Sequence, residues 1–153
     1  MSTLTGTSLL LAHLFTTSAL TGLIWTIQIV HYPLFAQVGP ENFVNYERSH
    51  SFRISTLVGP LMGLELICAL IIVWNPPQGT SPLLAWGALA LLLMIHACTV
   101  LFSVRAHNVL GQGFDASAHR RLVHTNWIRT VGWTLRAALA AYMIARFVSE
   151  RAI

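Results

Sequence analysis

Residues 82–110 read PLLAWGALALLLMIHACTVLFSVRAHNVL, and no charged side chain occurs among them before Arg105. A helix crossing the bilayer's hydrocarbon core needs about 20 predominantly apolar residues, and this stretch supplies them. Three further apolar runs lie near 8–30, 54–74 and 127–147. The 153-residue chain is 55% hydrophobic and 9% charged, where a soluble domain carries roughly 25% charged residues. Four spans use up most of the chain and leave no separate soluble domain. The sequence predicts an all-α, polytopic membrane protein, a single up-down four-helix transmembrane bundle over 1–153.

Helix-breaking and capping residues set the helices at about 8–36, 41–75, 82–110 and 116–149. Gly39-Pro40 breaks the chain after the first run, with Pro40 suited to a first helical turn. Asn75-Pro76-Pro77 stops the second helix, and Ser81-Pro82 reads as an N-cap followed by an N1 proline. Gly111-Gln112-Gly113 ends the third helix, and Asp115 can cap the fourth. Helices two and four exceed what a bilayer needs and are expected to extend on the cytoplasmic side. Pro60, between Gly59 and Gly63, predicts a kink near Glu65.

The first run lacks a basic leader and a small-residue cleavage site, so it reads as a retained span. Arg48 and Arg53 lie between runs one and two, and Arg105, Arg120, Arg121 and Arg129 between three and four. The other side has only Arg146 and Arg151. The positive-inside rule places the Arg-rich connections in the cytoplasm and both termini outside, in what is expected to be a bacterial inner membrane.

Composition removes several kinds of chemistry. All nine Lys and Arg residues are arginines, so no lysine Schiff base can form. There is no Gly-rich phosphate loop, C-x-x-C pair or C-x-x-C-H haem attachment. Cys68 and Cys98 fall within apolar runs and read as packed thiols. The net charge of +4 comes from arginines flanking spans, so the expected partner is the lipid bilayer and not nucleic acid.

Polar side chains within spans are costly and face the bundle interior. On a wheel of about 100° per residue, each helix carries one polar stripe. The stripes are His13, Thr17 and His31 on helix one, with Gln28 to the side, and Glu47, His50 and Glu65 on helix two. Helix three carries His96, Thr99, Ser103 and His107. Helix four carries His119, Asn126, Arg129, Trp133 and Arg136, and His124 and Arg105 point away.

Counting along the helices sorts these residues into two layers. Glu65, His96 and Arg136 are expected together near mid-membrane, as a buried ion pair with a histidine or as a catalytic group. His31, Glu47, His50, His107 and His119 are expected at the cytoplasmic mouth, with Asn126 and Arg129 beneath. Glu47-x-x-His50 places carboxylate and imidazole on one helical face. Di-iron bundles use two such elements plus further glutamates, and this chain has one. The mouth residues suit a mononuclear Fe, Cu or Zn site, and two histidines such as His31 and His107 suit haem b. A metal-free substrate or quinone site and a structural polar cluster use the same residues.

The segment Thr99-x-x-x-Ser103-Val104-x-x-His107-Asn108-x-Leu110, followed by Asn126-Trp127-Ile128-Arg129, resembles helices three and four of the anthrone-oxygenase-like family of small four-helix membrane proteins. Asn108 and Arg129 match residues of that family's pattern, and the proline that usually accompanies the asparagine is missing here. The resemblance covers the second half of the chain. It implies oxidation of an aromatic or other lipophilic substrate and nothing about a cofactor.

The leading expectation is a membrane-embedded oxidoreductase or oxygenase-like protein acting on a lipophilic small molecule that enters between helices. His31, Glu47, His50, His107 and His119 would bind a metal or move protons. Arg129 and Arg136 would stabilise developing negative charge, with Glu65 and His96 relaying a proton. Two alternatives use the same polar column: a non-catalytic subunit of a larger membrane complex or homo-oligomer, and a small transporter or proton pathway.

Overall fold

The computed structural model describes residues 3–151, so the single domain expected over 1–153 runs past the described residues at both ends. Among the described residues there is no strand. Helix α1 is α-helical over Thr3–Thr26, π-helical over Ile27–His31, and closes through Tyr32–Leu34 and a 3₁₀ turn at Phe35–Gln37. Helix α2 spans Pro40–Trp74. Helix α3 covers Pro82–Leu110, with a π-helical stretch at Thr99–Val104, and α4 spans Ala116–Ser149. All four are long and apolar enough to cross a membrane.

The start and stop signals act as the sequence predicts. Ser81 Oγ accepts from the Leu84 N–H at 3.2 Å, and Asp115 Oδ1 accepts from the Ala118 N–H at 2.6 Å. Each satisfies an N–H that the first helical turn leaves without a partner. Helix α1 begins at Thr3, earlier than the start expected near residue 8. Helix α2 stays helical through Pro60. Cys68 and Cys98 are free thiols, both buried.

Each helix packs on its sequence neighbours, and α4 closes the ring on α1. Large apolar side chains such as Phe15, Leu64, Ile67, Leu93, Val100 and Leu135 face outward, as lipid surroundings require. With 35 and 34 residues, α2 and α4 are each roughly 50 Å long at 1.5 Å per residue. Their more polar N-terminal segments, residues 41–53 and 117–126, lie together at one end of the bundle, here called the mouth.

Layers alternate along the bundle axis. An apolar cluster at the end away from the mouth includes Leu10, Ile72, Ala88, Met143 and Phe147. A second, of Leu20, Ile24, Met62, Leu92, Ile95 and Trp133, fills the middle. A third, around Phe35, Phe43, Leu110 and Leu122, lies at the mouth. Polar side chains occupy the two levels between and within these clusters.

Helices α3 and α4 pack tightly at Gly132, where an added Cβ would come within 2.8 Å of Ile95 Cγ1. That atom is held in the middle apolar cluster and has little room to move. Gly132→Ala is expected to cost about 1–3 kcal/mol by overpacking. Chemical unfolding in detergent checks this, and an unchanged or raised stability would show that Ile95 can yield.

Candidate functional site

The deep polar layer centres on Glu65, which is fully buried. Its carboxylate accepts from His13 Nδ1 at 3.0 Å, Thr16 Oγ1 at 2.8 Å and Thr17 Oγ1 at 2.6 Å, and from Arg136 Nη2. Arg136 also donates from Nη1 to the Ala88 carbonyl at 2.6 Å. The ion pair expected between Glu65 and Arg136 is present, but the histidine beside it is His13. His96 is half-buried, and its Nδ1 is bonded within its own helix to the Leu92 carbonyl at 3.0 Å.

The physical reason is depth. Arg136 meets α3 at Ala88, eight residues from His96, or about 12 Å along the helix. On α1, the spacing His13-x-x-Thr16-Thr17 puts three donors on one face at the level of Glu65. Four donors saturate that carboxylate, and none of the cavities described below is lined by Glu65, His13 or Arg136. The group ties α1, α2, α3 and α4 together at one level.

The mouth layer is built by two π-helical stretches. The Tyr32 N–H bonds the Ile27 carbonyl five residues back, so the turn ending at His31 holds one residue more than an α-helical turn. Beyond it the helix is rotated relative to a uniform wheel, and Tyr32 and Phe35 are swung into the interior. The stretch Thr99–Val104 does the same for α3, burying Ser103 and bringing His107 inward.

Four of the five expected mouth residues come together as two hydrogen-bonded pairs. His31 Nε2 meets His50 Nδ1 at 2.7 Å, and His107 Nδ1 meets Glu47 Oε1 at 2.5 Å. The Tyr32 hydroxyl lies 3.1 Å from His107 Nε2, and Ser51 Oγ donates to Glu47 Oε1 at 3.0 Å. The His50 and His107 ring centroids are 5.4 Å apart. Each pair leaves a buried atom without a partner, His50 Nε2 and Glu47 Oε2. His119 stands apart, bonded through Nε2 to the Tyr32 carbonyl at 2.7 Å and stacked on Phe35. Phe35 is fully buried and touches the rings of His31, His50, His107 and His119. It is the post around which the imidazoles stand.

Among the described residues, no group of three or more His, Cys, Asp or Glu side chains is arranged to hold a metal ion. The imidazole and carboxylate atoms expected as ligands mostly face each other in pairs and do not converge on one point. His124 and Arg105 are exposed, as the wheel predicts.

Just beneath, Arg129 donates from Nη1 to Ser103 Oγ at 2.9 Å and to Asn126 Oδ1 at 3.0 Å. Asn126 Nδ2 in turn donates to Gln28 Oε1 at 2.9 Å, and Gln28 to the Val123 carbonyl at 3.3 Å. Two cavities flank the mouth cluster. One of about 420 Å³ lies between α1 and α2, with His31, Tyr46, His50 and Arg53 on its wall. The other, about 220 Å³, lies between α2 and α3 and is walled by Tyr32, Ser103, His107 and Arg129.

Sequence reasoning assigned no site role to Tyr32, Phe35, Ser103, His13, Thr16 or Thr17. The last three were legible in their i, i+3, i+4 spacing. Tyr32 and Phe35 sit inward because of a π turn that no residue pattern announces. Between the two expected polar layers lies an apolar cluster that includes Leu20, Ile24, Met62, Leu92, Ile95 and Trp133. Trp133, expected on the polar stripe, is a member of this apolar layer.

Fold and site together define an all-α four-helix bundle of membrane character with two separate interior polar layers. No protein-family model, curated protein or solved structure matches the chain.

Proposed function

We propose that the chain is a membrane-embedded enzyme that admits a lipophilic small molecule from the bilayer and moves protons to and from its oxygen-bearing head at the mouth cluster. The observation that carries this reading is the pair of orphaned atoms, His50 Nε2 and Glu47 Oε2. Buried polar atoms are normally hydrogen-bonded, and two unsatisfied ones in a single cluster flanked by cavities ask for a ligand. Imidazole paired to imidazole, and imidazole paired to carboxylate and phenol, can accept and return protons without large movement.

The reaction class we favour is oxidation of a phenol, quinol or anthrone-like carbon acid, each of which begins by losing a proton to a base. This agrees with what the resemblance to anthrone-oxygenase-like proteins implies. The electron acceptor would be dioxygen or a partner protein. The mouth is proposed to face the cytoplasm, because Arg48, Arg53, Arg105, Arg120 and Arg121 lie at that end.

The test is oxygen uptake and product absorbance with a quinol, a phenol and anthrone as probes, on protein purified in mild detergent without chelator. Metal analysis and an absorption spectrum are taken on the same sample. His50→Ala is expected to lower turnover by about 10²–10⁴-fold while leaving yield and elution unchanged, and the exposed control His124→Ala is expected to keep full turnover. Turnover retained in His50→Ala, or none with any probe class, overturns the reading.

A further inference from the structure

The cavity between α2 and α3 contains a charge with no counter-charge. Arg129 is 6% exposed, and its partners are all neutral: Nη1 donates to Ser103 and Asn126, and the Tyr32 hydroxyl lies within its reach. Its Nε is buried without an acceptor. The two buried carboxylates are held elsewhere, Glu65 by Arg136, His13, Thr16 and Thr17, and Glu47 by His107 and Ser51. No ion pair involving Arg129 forms among the described residues. Buried charges in proteins, and more so in membranes, are paired unless they are kept for a purpose. Arg136 shows what a structural arginine looks like here: it is as buried and its Nε also lacks an acceptor, but a carboxylate holds its charge, so the missing counter-charge is what sets Arg129 apart.

The cavity has the shape and access that a ligand for Arg129 needs. Tyr32, Ser103 and His107 share its wall with the guanidinium. Ser55, Gly59 and Val104 form its outer rim and are exposed toward the lipid side. At Gly59, on the cavity's wall, an added Cβ would meet nothing within 4 Å, so a larger side chain has room there. Its volume of about 220 Å³ is below the roughly 300 Å³ at which drug-sized sites begin, so the occupant is small. A guanidinium binds planar oxyanions through parallel N–H groups, which makes it the donor of choice for carboxylates and similar heads.

We propose that Arg129 makes this cavity a recognition site for the anionic oxygen head, carboxylate or phenolate, of a small flat lipophilic molecule admitted from the bilayer between α2 and α3. The inference rests on the proposed function and narrows its substrate class. It also places the anionic head beside the Tyr32 hydroxyl and His107, one end of the chain that leads to Glu47.

Binding, measured without turnover, tests it. Wild-type protein in phosphatidylcholine nanodiscs is titrated with 2-naphthoate and with its neutral isostere 2-naphthamide. A second pair is 4-nitrophenolate in mildly alkaline buffer and neutral 4-nitroanisole. At least about tenfold tighter binding of one anion than of its isostere is expected, and the pair with the larger preference identifies the head. Arg129→Gln should abolish that preference, Arg129→Lys should keep part of it, and His50→Ala should leave it intact.

Gly59→Phe sits on the exposed rim and fills the portal, so it should weaken both probes of the preferred pair by about tenfold whether or not Arg129→Gln folds. Equal affinity for charged and neutral probes overturns the proposal, as does a preference that survives Arg129→Gln. If phosphatidylglycerol in the nanodisc eliminates the preference even at high salt, where its surface charge is screened, the cavity holds a phospholipid phosphate and the small-molecule assignment is overturned. Turnover lost in His50→Ala with no charge preference keeps the proposed function and removes this inference. A charge preference with no turnover does the reverse.

Discussion

Replacing either Glu65 or Arg136 alone by leucine is expected to destabilise the bundle by about 3–5 kcal/mol, while replacing both together restores most of that loss. Arg136→Leu leaves a carboxylate at the centre of the bundle that Thr16, Thr17 and His13 must hold without a cation. Glu65→Leu leaves a guanidinium whose remaining hydrogen bond is to the Ala88 carbonyl. In each case the cost is the uncompensated buried charge, which the double variant removes. Thr16 keeps its bonds to the Ala12 and His13 carbonyls in every variant, whereas the His13 ring and the Thr17 hydroxyl lose their acceptor when Glu65 is replaced, so recovery in the double variant is incomplete by the cost of those two donors. Chemical unfolding of the three variants in one detergent, followed by tryptophan fluorescence, gives the coupling. Single losses that simply add in the double variant would show that the two side chains act independently, and the layer would then need another explanation. Because Glu65 is saturated with donors and lines neither flanking cavity, turnover in the double variant should be reduced only as far as the fold is.

The element boundaries were legible because they depend on local chemistry. Ser81-Pro82, Asp115, Gly39-Pro40 and Asn75-Pro76-Pro77 each start or stop a helix through their own side chain or ring, and none needs a distant partner. The membrane character was legible because charge is sparse all along the spans. What failed was phase and depth. A wheel at a constant angle treats α1 and α3 as uniform, but the π turns at Ile27–His31 and Thr99–Val104 rotate everything beyond them toward the mouth. Tyr32 and Phe35, which help build the mouth site, were given no inward place by the wheel, whereas Ser103 and His107 stood on its inward stripe and do face inward. His96 was placed with Glu65 by counting from helix ends, and α3 enters the bundle with its Ala88 level, not its His96 level, against Arg136. Helix α1 errs the other way, since His13 is close to the chain's start yet reaches Glu65. Polar stripes read from one helix at a time show which residues face inward, but not which stripes meet.

Glu47 is expected to be as sensitive a position for turnover as His50. It is fully buried, and its Oε1 carries His107 and Ser51 while its Oε2 carries nothing. Glu47→Gln keeps the shape and one carbonyl oxygen for His107 but removes the negative charge, so it can neither take a proton nor stabilise a charged imidazole. Turnover should fall by about 10²–10⁴-fold with the unfolding midpoint nearly unchanged. His107→Ala should cost a similar amount, because the two form one hydrogen-bonded unit with Tyr32. The Glu47→Gln/His107→Ala double variant should then be no slower than either single, as groups acting as one unit are far from additive. A purely structural cluster gives the opposite pattern: the unfolding midpoint drops in Glu47→Gln and turnover follows it in proportion. The comparison also separates the two hydrogen-bonded pairs. If proton transfer runs from Tyr32 through His107 to Glu47, Tyr32→Phe should slow turnover of a phenol or quinol probe. If His31 and His50 alone are the base, Tyr32→Phe leaves turnover unchanged, and Glu47 serves only to hold His107 in the wall of the Arg129 cavity.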